Sequence, residues 1–222
     1  MKKLIIAISS LWLVLASSAM SMDLKPSIGV SGNYGAFAAT GIENNFNEAG
    51  TAIDETTKEY GAFSAEFGSV FVEMGLSDMV SIGVDYVPQT LETPQNVSQE
   101  DQTTQSTVEA HFEDLTTLYA KINVPLGGAY VKVGYSHVDV TSIENMGAND
   151  GSKSTYGNDT SNGMTFGLGY EHEIAGGVSI RAEVSGTNFS DVQADNGQTN
   201  KTEIKVEDMI GGRAAISIVK SF

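Results

Sequence analysis

The sequence predicts an all-β fold, an eight-stranded antiparallel up-and-down transmembrane β-barrel. Three observations lead there. Eight segments alternate apolar with small, polar or charged residues at a period of two. The connections between them alternate short and long. After the N-terminus no run of about 20 apolar residues occurs, so any membrane crossing is made by strands rather than by a helix.

Taken in order, the chain opens with a secretory signal. Lys2 and Lys3 form its positive region and Leu4 to Ala16 its apolar region. Small residues follow at Ser17, Ser18, Ala19 and Ser21. Cleavage fits after Ala19 or Ser21, and the domains are read as a signal over 1–21 and a barrel over 22–222. Trp12, the single tryptophan, lies in the signal.

The strands are expected near Pro26–Ala39, Glu59–Met74, Val80–Thr90, Thr107–Val124, Gly128–Thr141, Asn162–Ile174, Val178–Ser190 and Lys201–Phe222. Three connections are tight: Gly75-Leu76-Ser77-Asp78, Pro125-Leu126-Gly127 and Ala175-Gly176-Gly177. Glycine and proline supply the dihedrals such turns need. Four are long and polar: Thr40–Lys58, Leu91–Ser106, Ser142–Ser161 and Asp191–Asn200. Sorting by length places short periplasmic turns on one side and long extracellular loops on the other, with both termini on the short side.

Each strand divides into two faces. In the second strand Phe63, Ala65, Phe67 and Phe71 are assigned to the outside, and Ser64, Glu66 and Gly68 to the inside. In the third, Val80, Ile82, Val84 and Tyr86 oppose Ser81, Gly83 and Asp85. The fifth sets Val131, Val133 and Tyr135 against Lys132, Gly134 and Ser136. The sixth sets Met164, Phe166, Leu168 and Tyr170 against Thr165, Gly167, Gly169 and Glu171. In the seventh, Val178, Ile180, Ala182 and Val184 oppose Arg181 and Glu183; in the eighth, Ala214, Ile216 and Ile218 oppose Arg213 and Ser217. Tyr34, Tyr86 and Tyr135 each lie six residues beyond the first outward residue of an upward strand, as members of an aromatic girdle would. Lys220 falls outward near the end, where a long side chain can snorkel to the headgroups.

The expected lumenal charge network is Glu66, Asp85, Lys121, Lys132, Glu171, Arg181, Glu183 and Arg213. Centring a turn on Gly176 puts Glu171 across from Arg181. Glu183 and Arg213 lie at compatible heights on neighbouring strands, and Lys121 faces Lys132, a like-charge pair that needs an acid beside it. An eight-stranded bore is just wide enough for side chains, so these charges must pair. The same network could instead line a gated ion path.

Other chemistry finds little footing. The chain has 28 acids against 12 bases, which disfavours nucleic acid as a partner. It has no cysteine, hence no disulfide, thiolate metal site or thiol redox centre. Its three histidines share no metal-ligand spacing: His137 and His172 are read as outward and His111 as inward near the outer rim. Ser136 and His137 are neighbours and point to opposite faces, so they make no catalytic dyad. Asn149-Asp150-Gly151 and Asp195-Asn196-Gly197 are turn sequences that fall short of a calcium loop. No catalytic residue, metal site or cofactor is expected.

The last strand, Ala214-Ala215-Ile216-Ser217-Ile218-Val219-Lys220-Ser221-Phe222, ends on an aromatic residue. With the signal, the sorted loops and the inward charges, it resembles the small OmpA/OmpX-type outer-membrane barrels. The resemblance covers Met22 to Phe222 and rests on pattern. It implies a cell outer membrane location, contact with outer-membrane lipid and lipopolysaccharide, and a reading of Phe222 by the barrel-insertion machinery. It also implies a non-enzymatic structural or surface-exposed role, with acidic loops open to an external ligand. A narrow channel or carrier for small solutes is the alternative. A lipid-modifying enzyme and a soluble periplasmic barrel are further readings.

Overall fold

The computed structural model describes residues 24–94, 96–101, 104–145, 158–195 and 202–222. The signal region and Asn149-Asp150-Gly151 therefore lie outside the described residues, as do Asn196 and Gly197. Eleven strands follow in chain order: β1 Lys25–Phe46, β2 Ile53–Gly75, β3 Val80–Tyr86, β4 Leu91–Glu92, β5 Asn96–Asp101, β6 Thr104–Asn123, β7 Ala129–Asn145, β8 Asp159–Ala175, β9 Val178–Phe189, β10 Val192–Asp195 and β11 Thr202–Ser221. Eight of them form a ring in the order β1-β2-β3-β6-β7-β8-β9-β11, closed by antiparallel pairing of β1 with β11. The short β4 and β5 pair with β6, and β10 pairs with β11.

The three tight turns fall where glycine and proline place them. Gly127, Gly128, Gly176 and Gly177 all have positive φ, which a β-carbon would disfavour. Alternation holds around the ring: Leu168, Val184 and Ile216 are about 60% exposed on the outside, while Lys132, Arg181 and Ser217 are buried inside. A contiguous outward band of aliphatic side chains is the signature of a surface that does not meet water.

The second strand departs from expectation. Phe67, Phe71 and Glu73 are buried inside, and Glu66 is exposed on the outer face. Its two faces are therefore the reverse of the assignment that sent phenylalanine to lipid. The bore has room for the rings because β1 presents glycine there. A β-carbon on Gly29 would lie 2.1 Å from the Phe71 ring, and one on Gly35 would lie 2.9 Å from Phe67.

The strands also run further up than expected. β1 and β2 continue as a ribbon to a turn capped by Asn47, whose side-chain oxygen accepts from the Thr51 amide at 2.9 Å. Polar residues there erase the apolar signal, yet the backbone ladder needs no outward grease to persist. Conversely β3 stops at Tyr86, short of Thr90. Pro88 cannot donate to a ladder, and the chain leaves β2 to pair with β6 as β4. Above Val70, the described part of β2 pairs with β1 alone. Val87 and Gln89 cover the start of this seam; Val87 is fully buried, and the Gln89 side chain accepts from the Gly68 amide.

Among the register shifts of the described ladders, two β-bulges shape the upper bore. In β6 the register shifts between Glu113 and Thr116, with Asp114 at φ 53°. In β11 it shifts opposite Ala38/Thr40, with Asp208 at φ 54°. One extra residue exchanges the two faces of a strand. Above its bulge β6 turns Ala110 and Phe112 into the bore, and β11 turns Val206 inward. Unbulged, Glu109, His111 and Glu113, and on β11 Lys205 and Glu207, would point in. His111 thus lies outside, contrary to the expected inward placement, with Nε2 3.1 Å from Glu109.

Candidate functional site

The bore is layered. The half nearer the tight turns holds a charge cluster contributed by seven strands. Glu73 of β2 accepts from both terminal nitrogens of Arg181 of β9, each at 2.7 Å. Arg181 also donates to Glu171 of β8 at 2.8 Å. Lys121 of β6 reaches Glu171 at 2.8 Å and Glu73 at 3.3 Å. Alongside, Arg213 of β11 meets Asp85 of β3 at 3.0 Å and Glu183 of β9 at 3.6 Å, while Lys132 of β7 pairs with Glu183. Four acids thus face four bases, and the cluster is neutral as a whole.

Hydroxyls add further donors to the carboxylates, among them Ser69 to Asp85 at 3.1 Å. Tyr119 donates to Glu73 and Tyr130 to Glu183, each at 2.8 Å. Both rings lie over glycines, Gly83 and Gly169, where a β-carbon would come within 2.6 Å and 2.2 Å of the ring. Arg181 stacks over Phe71 and Lys132 over Tyr119, each 4.8 Å from the ring centroid. Such pairing meets the requirement that buried charge be compensated. A void of about 10 Å³ remains among these side chains, room for a single water at most.

Above the charges lies a rung of hydroxyls. Thr117, Ser136, Thr165 and Thr187 hydrogen-bond in series at 2.8, 2.6 and 2.8 Å, crossing β6, β7, β8 and β9. Above the rung the bore widens into an apolar chamber of about 500 Å³. Phe37, Phe63 and Phe112 stack there at centroid distances of 5.0 and 5.9 Å.

Seven of the eight expected lumenal charges come together here: Asp85, Lys121, Lys132, Glu171, Arg181, Glu183 and Arg213. The ladder places Glu171 opposite Arg181 and Lys121 opposite Lys132. Glu66 does not join them; it sits outside, opposite Tyr34 in the β1–β2 ladder. Glu73, which strand alternation alone does not single out, takes its place. Its signal was present, because Glu73 pairs with Gly83 and Phe71 with Asp85, and cross-strand partners share a face.

Tyr34, Tyr86 and Tyr135 all project outward, and the Tyr86 hydroxyl donates to Asp114 at 2.6 Å. His172 is exposed on the outer face, as expected. His137 is also on the outer face, partly buried, with Nδ1 2.8 Å from the Asn162 side-chain oxygen; Ser136 is buried in the hydroxyl rung on the other face of the wall. The Phe222 side chain is exposed, and its amide donates to Pro26 at 3.0 Å. Lys220 reaches down to the Gly176 carbonyl at 2.7 Å, the downward snorkel its position called for.

Comparison with known proteins agrees with this architecture. The family model described as "Outer membrane protein beta-barrel domain" matches residues 7–207. Among solved structures, the outer membrane protein OprG from Pseudomonas aeruginosa is similar at 13% identity and a TM-score of 0.53, over 88% of this chain and 95% of that one. The outer membrane protease OmpT from Escherichia coli is similar at 8% identity and a TM-score of 0.45, over 91% and 98%. The N-terminal β-barrel domain of OprF from Pseudomonas aeruginosa is similar at 15% identity and a TM-score of 0.35, over 85% and 97%. At such identities likeness concerns the fold, and the OprG superposition carries it. No curated protein sequence matches the chain.

Proposed function

Because this chain belongs to the outer-membrane β-barrel protein family, we propose that it serves in the outer membrane as a non-enzymatic, surface-exposed barrel whose bore does not conduct. The observation that carries this reading is the neutral charge cluster. Its eight charged side chains, with Tyr119 and Tyr130, occupy the periplasmic half of the bore and leave a void of about 10 Å³. A hydrated ion would have to break several buried ion pairs to pass, at a cost of several kcal/mol each.

The outer face supports the rest. Its aliphatic band fits hydrocarbon, and Tyr34, Tyr86 and Tyr135 fit a girdle at the lipid boundary. Glu43, Glu48, Asp54, Glu55 and Glu59 lie on or between the extended β1 and β2, and suit loose association with lipopolysaccharide through divalent cations. Phe222, exposed at the chain end, suits recognition by the insertion machinery. The separation of Ser136 from His137 speaks against a hydrolytic pair.

Planar-bilayer recording tests the reading. The purified protein is expected to show no steady single-channel current. Steady unitary currents that disappear in Glu171→Ala or Arg181→Ala would assign it instead as a narrow channel. A lipid A profile altered by deleting the gene would make it an enzyme.

A further inference from the structure

We propose that the upper chamber binds one small, neutral, apolar molecule, of the size of an aromatic or alicyclic hydrocarbon with two or three fused rings. The inference is independent of whether the bore conducts, since the chamber lies above the charge cluster and the hydroxyl rung.

The chamber is built by a specific backbone device. Both bulges flank it, and each exchanges charged side chains for apolar ones. In β6 the bulge at Asp114 places Phe112 and Ala110 inside and sends Glu109, His111 and Glu113 out. In β11 the bulge at Asp208 places Val206 inside and sends Lys205 and Glu207 out. Each holds an aspartate at positive φ, a left-handed conformation that residues with a β-carbon seldom adopt. Two strained residues on two strands acting to the same end indicate an apolar chamber that is constructed rather than left over.

Its size and lining define the occupant. At about 500 Å³ it falls within the roughly 300–1,000 Å³ usual for small-molecule sites. Phe37, Phe63, Phe112, Leu115, Val138 and Met209 supply much of the wall. Glu59, Tyr60 and Thr93 are polar members of the lining and belong to its extracellular end. Below, the four rung hydroxyls are already bonded to one another, and Arg213 is engaged by Asp85 and Glu183. An anionic ligand would therefore lie buried without a partner, which excludes it, whereas flat apolar rings extend the phenylalanine stack.

Methyl NMR on the protein in lipid nanodiscs, with naphthalene as the probe, tests this. Saturable shift changes are expected at Leu115, Val138 and Met209 and not at the lipid-facing Leu168 and Val184. Filling the chamber by Ala110→Phe, or by Val138→Phe should the first variant not fold, is expected to weaken binding by about tenfold or more. Naphthalene-2-sulfonate is expected to give no saturable response. Changes confined to Leu168 and Val184, a response that never saturates, or equal binding of the sulfonate would each overturn the assignment.

Discussion

Glu73 and Arg181, separated by 108 positions in the chain, meet inside the barrel in a two-pronged ion pair with both hydrogen bonds at 2.7 Å. The pair ties β2 to β9, strands that are not neighbours in the ring. Each partner is buried, so neither can exchange the other for water. Removing the carboxylate alone leaves Arg181 with Glu171 against the neighbouring Lys121. Glu73→Ala is expected to destabilise the barrel by about 3–5 kcal/mol, as deletion of one member of a buried pair does. The outward Glu66→Ala is expected to change stability by no more than about 0.5 kcal/mol. Reversible urea titrations of both variants in lipid vesicles check the contrast. It would fail if the two costs were equal.

The close approach of Phe71 to Gly29 gives a second expectation. A β-carbon at Gly29 would lie 2.1 Å from the edge of the Phe71 ring, so the ring must move. Gly29→Val is expected to cost about 1–3 kcal/mol through overpacking. Its cost should shrink in a Phe71→Leu background, because the two residues share one space. A double-mutant cycle by the same titration checks this; strict additivity would contradict it.

The bulge in β11 gives a third. Asp208 holds φ at 54°, where glycine is at ease and a β-branched residue is not. Asp208→Gly is expected to be nearly neutral, and Asp208→Val to lose about 1–2 kcal/mol. Thermal or urea midpoints of the two variants, compared with the native protein, check the ordering.

At the periplasmic end Lys25 donates to Asp78 at 2.8 Å. The hydrogen bond and charge of Lys25 hold the Asp78 carboxyl below its usual range. A lowered pKa in the folded state means the pair stabilises above the unfolded aspartate value and loses that effect as pH falls through the folded value. The site is open to solvent, so the contribution is small. Carboxyl NMR titration should find Asp78 below an ordinary aspartate, and Lys25→Met should return it to the ordinary range.

Much of this was legible in the sequence, and the misses have physical causes. The tight turns at Gly75–Asp78, Pro125–Gly127 and Ala175–Gly177 fixed register, and register placed Glu171 on Arg181 and Lys121 on Lys132. In β2, hydrophobicity pointed the wrong way. Phenylalanines suit lipid and a packed bore alike, and only the ladder partners Gly83 and Asp85 tell the two apart. The bulges at Asp114 and Asp208 were hidden because an aspartate in an extended run reads as any other polar residue. They invert parity above them, so simple alternation sends His111 to the wrong side. The upper hairpin of β1 and β2 reads as loop in the sequence because backbone pairing alone leaves no apolar trace.

Hydrocarbon should meet the outward face, and β11 offers the most direct measurement. The chain has no cysteine, so a single introduced cysteine carries a spin label at one known site. Labels at Ala214, Ala215, Ile216, Ser217 and Ile218, in lipid vesicles, report collisions with oxygen and with a water-soluble nickel chelate. High oxygen and low nickel accessibility at positions 214, 216 and 218, with low oxygen collision inside the packed bore at 215 and 217, is the predicted result. Free access of the nickel chelate at 214, 216 and 218 would contradict it.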